Sequence, residues 1–146
     1  MLALEIEKTE VKLFMSKLLR EELFDTFEIR SVEIATNTRI SIDGTPESPE
    51  ADFPLWGEIR PLVYEIIKLC TKPRHVKIVF SKKDASEIHT NAAALFLNLT
   101  YENDSVTFTT ASAQKEFILD KSLDTNWDEW IRSFFIKSRL QVFDRE

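Results

Sequence analysis

Three stretches of the chain repeat one apolar spacing. Val11, Phe14, Met15, Leu18 and Leu19 stand at i, i+3, i+4, i+7 and i+8, and Ile59, Leu62, Val63, Ile66 and Ile67 follow the same rule. Trp127, Trp130, Ile131, Phe134 and Phe135 make the third set. A helix turns once every 3.6 residues, so each set falls on one face and predicts an amphipathic α-helix. Thr9 is placed to cap the first helix, and Ser122 or Asp124 the last, since a short side-chain oxygen can accept a free N–H of the first turn. Pro61 is expected near the start of the middle helix, where a missing N–H costs little.

Between these stripes the period falls to two. Val32 and Ile34 alternate with Ser31, Glu33 and Ala35, and Ile40 and Ile42 with Arg39, Ser41 and Asp43, which predicts a β-hairpin closing near Thr36-Asn37-Thr38. Val76, Ile78 and Phe80 predict a further strand, and Val79 gives it the apolar second side of a strand covered on both faces. A second hairpin runs from Leu95 to Thr110. With Asn103-Asp104 as its turn, Tyr101 meets Val106, Leu99 meets Phe108 and Leu97 meets Thr110. Asn98, Thr100, Thr107 and Thr109 then share the opposite face, and a one-residue slip would scatter both sets.

Three segments complete the pattern. Phe117, Ile118 and Leu119 predict another strand before the last helix. Ser81-Lys82-Lys83-Asp84 has the form of a capping box, and Ala85, Ile88, His89 and Ala92 follow at helical spacing, as for a short helix. Residues 44–54 hold three of the five prolines and three acids, which makes them a loop too short to link domains. The order of elements predicts one α+β domain over residues 1–146, with three main amphipathic helices packed on a mainly antiparallel sheet containing two β-hairpins.

Composition agrees with a packed domain. The 146 residues are 43% hydrophobic and include eleven Phe, three Trp and two Tyr, enough apolar surface to offset the entropy of ordering. The formal charge of −6 repels a phosphate backbone, so non-specific nucleic-acid binding has no electrostatic support. The basic clusters Lys82-Lys83 and Arg132, Lys137 and Arg139 read as solvated faces. No uncharged apolar run reaches the length of about 18 residues needed to span a bilayer. Met1 is followed by Leu2-Ala3-Leu4-Glu5 rather than a basic segment and a long apolar run, so no signal peptide is expected and the cytoplasm is the expected compartment.

Reactive residues are sparse. Cys70 stands alone, which leaves no intrachain disulfide or cysteine metal cluster. At the end of the middle stripe it is expected to be buried as a small hydrophobe, although Lys68, Lys72 and His75 are near enough in sequence to activate a thiolate. Gly44 and Gly57 are the only glycines, too few and too far apart for a phosphate-cradling loop. His75 and His89 have no metal-ligand spacing. Asp120, Asp124, Asp128 and Glu129 include carboxylates that could share acid–base or two-metal work, but capping a helix and complementing its dipole explains them without a substrate. Trp127, Trp130, Phe134 and Phe135 could stack on bases, yet their spacing is that of a core face, with one edge Trp left for a partner surface. No catalytic residue, metal ligand or cofactor site is predicted.

Several segments are familiar together: Leu2-Ala3-Leu4-Glu5-Ile6, Phe14-Met15-Ser16-Lys17-Leu18-Leu19, Phe24-Asp25-Thr26-Phe27 and Ile42-Asp43-Gly44. Ile59-Arg60-Pro61, Lys77-Ile78-Val79-Phe80 and Leu95-Phe96-Leu97-Asn98 belong with them, as does Leu119-Asp120-Lys121-Ser122-Leu123-Asp124 with Trp127-Asp128-Glu129. As a set they resemble a family of uncharacterised proteins, a domain of unknown function found in Clostridia and related Firmicutes. The resemblance spans nearly the whole chain and implies a single domain. It also implies a variable loop before Leu95, and it brings no activity, cofactor or catalytic residue.

The expected function is therefore non-enzymatic: a small protein that binds another protein through an exposed sheet edge or the surface beside the acidic loop. Two alternatives remain open. A carboxylate-based, Mg²⁺-assisted hydrolase would use Asp43, Asp120 or Asp124, and requires such groups to converge in a concave pocket. An oligonucleotide binder would use the Asn98, Thr100, Thr107 and Thr109 face, and requires a positive stripe across it.

Overall fold

Each of the three apolar stripes forms a helix in the computed structural model, which describes residues 1–70 and 72–145. In chain order the elements are β1 (Ala3–Ile6), α1 (Val11–Arg20), β2 (Glu28–Ala35), β3 (Arg39–Asp43) and α2 (Trp56–Leu69). They continue with β4 (His75–Ser81), β5 (Ala92–Glu102), β6 (Ser105–Gln114), α3 (Ser122–Lys137) and β7 (Val142–Asp144). Seven strands form one antiparallel sheet in the order β3-β2-β4-β5-β6-β1-β7. The fold is thus α+β, with a wider sheet than the two hairpins supply.

The alternating segments pair in the expected register. Val32 lies opposite Ile42 and Ile34 opposite Ile40. Tyr101 lies opposite Val106, Leu99 opposite Phe108 and Leu97 opposite Thr110, with Asn103 and Asp104 in the left-handed region at φ 52° and 58°. Positive φ at both central residues gives a turn whose twist matches the strands, and Asn and Asp tolerate that conformation.

All three helices lie on one face of the sheet. Beneath them Phe24 stacks on Phe80 at 5.2 Å between centroids, while Phe14 and Phe135 meet Phe108 at 5.6 and 4.8 Å. Burying one such side chain is worth about 1.5–3 kcal/mol, which assigns these rings to packing. Two buried indoles also satisfy their donors: Trp56 Nε1–H donates to the Leu18 carbonyl (3.2 Å) and Trp127 Nε1–H to the Phe96 carbonyl (2.9 Å). The other face of the sheet is polar and open except at one end, where Arg30 bonds the buried Ser81 and lies over Phe53 and Phe96. An antiparallel sheet tolerates this because alternation segregates its polar side chains.

Several expectations are corrected. Phe117-Ile118-Leu119 is not a strand but a loop, with Phe117 84% and Leu119 82% exposed. A run of three apolar residues carries no alternation to pair with. β4 is covered on its second side only at its end, where Ser81 is buried and bonds Arg30, since Lys77 is exposed and Val79 half-buried. The capping-box segment gives a single 3-10 turn at Ala85–Glu87: Ser81 is taken by β4, Ala92 by β5, and Asp84 is left-handed at φ 58°. α2 starts at Trp56, earlier than its stripe, so Pro61 sits beyond the first turn, and Leu62 is exposed rather than buried. Thr9 lies in a 3-10 turn before α1 and caps nothing; neither Ser122 nor Asp124 caps α3. Instead the Asp120 carboxylate, two residues before the nearer expected cap, accepts the Ser122 N–H (2.9 Å).

Candidate functional site

Of the carboxylates singled out by sequence, Glu129 is exposed and the four aspartates are engaged locally. Asp43, at the end of β3, accepts the Thr45 N–H (2.9 Å), and that bond holds its carboxyl below the usual range. Asp120 accepts both the N–H and the hydroxyl of Ser122, the main causes of its own downward shift. Asp124 takes the Ser112 hydroxyl of β6, and Asp128 takes that of Thr110 at 2.6 Å. Asp43 therefore belongs to the outermost strand on one side, Asp120 to the loop before α3, and Asp124 and Asp128 to the junction of α3 with β6. Among the described residues no group of three or more His, Cys, Asp or Glu is placed to hold a metal ion.

One constellation missed by sequence reasoning has the residue types of a nucleophilic triad. His89 Nε2 lies 3.0 Å from the Ser122 hydroxyl, which lies 3.0 Å from Asp120. Its polarity is wrong for catalysis. His89 Nδ1 accepts the Asn91 N–H (3.0 Å), so the ring proton resides on Nε2 and points at the serine. The serine hydroxyl in turn donates to Asp120. A base must accept the nucleophile's proton and be oriented by the acid, and here the acid holds the serine instead. The group ties the turn after β4 to the start of α3. Asn126 reinforces the link by donating to the Ile88 carbonyl (3.3 Å).

The polar face of the central hairpin is formed as the alternation requires, with Asn98 opposite Thr109 and Thr100 opposite Thr107. Across the sheet that second row continues through Lys77 and Glu33 on one side and Glu5 on the other. Two carboxylates flank one ammonium, which is no positive stripe. One member of each basic cluster noted in the sequence is engaged elsewhere. Arg132 is paired with Asp144, and Lys82 reaches Glu87 and lies over the Trp130 ring. Trp130 itself is half-buried, stacked between Trp127 and Phe134. Cys70 caps the end of α2 and is half-buried, less enclosed than expected.

At one border of the sheet a different feature emerges. The Gly44 N–H bonds to the Arg30 carbonyl and the Thr36 N–H to the Thr38 carbonyl, which sets the phase of the β2–β3 ladder. Ile40 and Ile42 therefore bond to β2, and the N–H and C=O groups of Arg39, Ser41 and Asp43 turn outward. β3 pairs with no second strand. Beside it runs α2. One flank of this helix faces α1, where Arg60 bonds Asp25 (2.9 and 3.0 Å) and Tyr64 lies under Arg20. The opposite flank carries Ile59, Leu62 and Ile66; Ile59 and Ile66 pack against the core, as do Ile40 and Ile42 of β3, and Leu62 is 52% exposed. Gly44 fixes where β3 ends, since a Cβ there would lie 2.0 Å from the Ile29 carbonyl oxygen.

The profile of a family of unknown function, DUF5721, matches residues 17–143. The chain belongs to this family. No curated protein and no solved structure matches it. The DUF5721 match takes in β3, α2 and the central hairpin, so the open border lies wholly inside it, whereas β1 precedes it.

Two adjoining cavities complete the surface of this DUF5721 chain, of about 620 and 610 Å³. Both lie at the turn end of the β5–β6 hairpin and share Lys72, Pro73, Tyr101 and Asp104. Asp104 is paired with Lys72 and accepts the Tyr101 hydroxyl (3.2 Å). Lys72, then Tyr101, and more weakly the field of Lys12 hold its carboxyl below the usual range. Burial is the main reason the Tyr101 phenol is pushed above its ordinary value. Its residues come from α1, α2, the segment before β4 and a hairpin turn, so no spacing in the sequence announces them.

Proposed function

We propose that this protein is a cytoplasmic, non-enzymatic module that binds an extended segment of another protein by adding it as a strand beside β3. The outward-turned N–H and C=O groups of Arg39, Ser41 and Asp43 carry this reading. A guest strand satisfies such groups with main-chain bonds, and its alternate side chains find pockets beside them. Here the half-buried Ile40 and Ile42 and the flank Ile59, Leu62 and Ile66 offer an apolar wall to every second residue of the guest. Carboxylates tied into their own loops, and a histidine whose proton faces the serine, support binding over hydrolysis.

The test uses two substitutions with different mechanisms. Ser41→Pro removes an outward N–H while leaving the bonds to β2 in place, and proline is tolerated on a border strand. Leu62→Glu puts a charge on the wall. Capture from the native host with quantitative mass spectrometry is expected to show a protein retained by the wild type and lost with both variants. A retained set that neither substitution changes would remove the basis for this reading.

A further inference from the structure

Apart from the open border, the cavity of about 610 Å³ has the composition of a ligand site. Its volume falls within the range of roughly 300–1,000 Å³ typical of small-molecule pockets. Its floor is apolar, made by Met15 and Leu19 of α1 with Ile67 of α2, and its rim carries Lys8, Lys12 and Lys72. Three cations around one apolar pocket are a marked local departure in a chain of net charge −6. Among the described residues no acidic side chain other than Asp104 lines it. That carboxylate is the anion now held between Lys72 and the Tyr101 hydroxyl, and its side chain is 68% exposed at the tip of a hairpin. An exposed ion pair of this kind holds weakly, so a rotation of the Asp104 side chain frees the position.

We propose that this cavity binds a small, free anionic amphiphile: a carboxylate or phosphate head that replaces the Asp104 carboxylate between Lys72, Lys12 and the Tyr101 hydroxyl, and an apolar body that lies against Met15, Leu19 and Ile67. The proposal is independent of strand addition at β3, which uses other residues.

Isothermal titration calorimetry of the full chain tests it, with decanoate, decyl phosphate, 1-decanol and inorganic phosphate as probes. Decanoate and decyl phosphate are expected to bind at least about tenfold more tightly than decanol or phosphate alone, since head and body each contribute. Asp104→Asn keeps a residue that tolerates positive φ and removes the competing charge, so it is expected to tighten decanoate binding several-fold, whereas Lys12→Gln and Lys72→Gln weaken it. Equal affinity for decanol would reduce the site to a greasy surface and overturn the proposal. So would an Asp104→Asn protein that melts like the wild type and binds decanoate no better. Association with phosphatidylglycerol vesicles but not with monomeric decanoate would overturn it in favour of a bilayer.

Discussion

At one border of the sheet β7 contributes only three residues, and Arg132 of α3 clamps its Asp144 through two bonds of 3.0 Å. At the other, β3 runs for five residues, turns the backbone groups of Arg39, Ser41 and Asp43 outward and sets only Ile40 and Ile42 against the core. Short strands and fixed charges are the usual means of stopping a sheet from recruiting a neighbour. The fold applies them at β7. Neither protects the middle of β3, where Ser41 is the outward residue between Ile40 and Ile42, so the two borders of the sheet are finished differently.

This contrast can be broken or sharpened by substitution. Trp56 starts α2, is fully buried and bonds Leu18, so Trp56→Ala is expected to cost about 3–5 kcal/mol and loosen the wall beside β3. Urea unfolding measures the loss, and hydrogen exchange should show faster opening of α2 than of β7. Gly44→Ala forces a Cβ against the Ile29 carbonyl and is expected to cost about 1–3 kcal/mol, read as a lower midpoint in the same titration. Leu62→Glu, on the exposed flank, should stay within about 0.5 kcal/mol of the wild type while abolishing partner capture, which separates binding from folding.

The smallest effect concerns β7. The Arg132 bonds depress the Asp144 pKa, so this clamp stabilises fully above the carboxyl's unfolded pKa and is lost as pH falls through its lower native value. Melting curves of the wild type and Arg132→Gln should differ at pH 6 and converge in acid. A gap that persists unchanged to low pH would show that the arginine acts by packing.

The central hairpin was legible to the residue because two independent patterns, apolar inward and Asn/Thr outward, agree on only one register, and Asn103-Asp104 fits its turn. The faces of α1 and α3 were legible because five residues at helical spacing leave one way to bury them, whereas in α2 Leu62 of the stripe is exposed and Trp56, outside it, is buried. β1 and β7 were not, since four and three residues give too little alternation to register. Phe117 to Leu119 misled in the opposite way, being apolar and placed in solvent, and nothing in the structure accounts for that exposure. Of the candidate sites, the β3 border could be anticipated only in kind, because which strand is outermost depends on long-range pairing. The cavity could not, because Lys12, Lys72 and Tyr101 meet only through tertiary packing.

The position of β1 has a consequence for synthesis. Residues 3–5 find their partners at 107–109, more than a hundred residues later, and β7 arrives later still. On a ribosome, Leu2, Leu4 and Ile6 therefore emerge first and wait longest for cover, while β2, β3 and β4 can pair well before them. The clamped border is the last to be sealed, and a nascent chain stalled before residue 107 would present two unpaired sides rather than one.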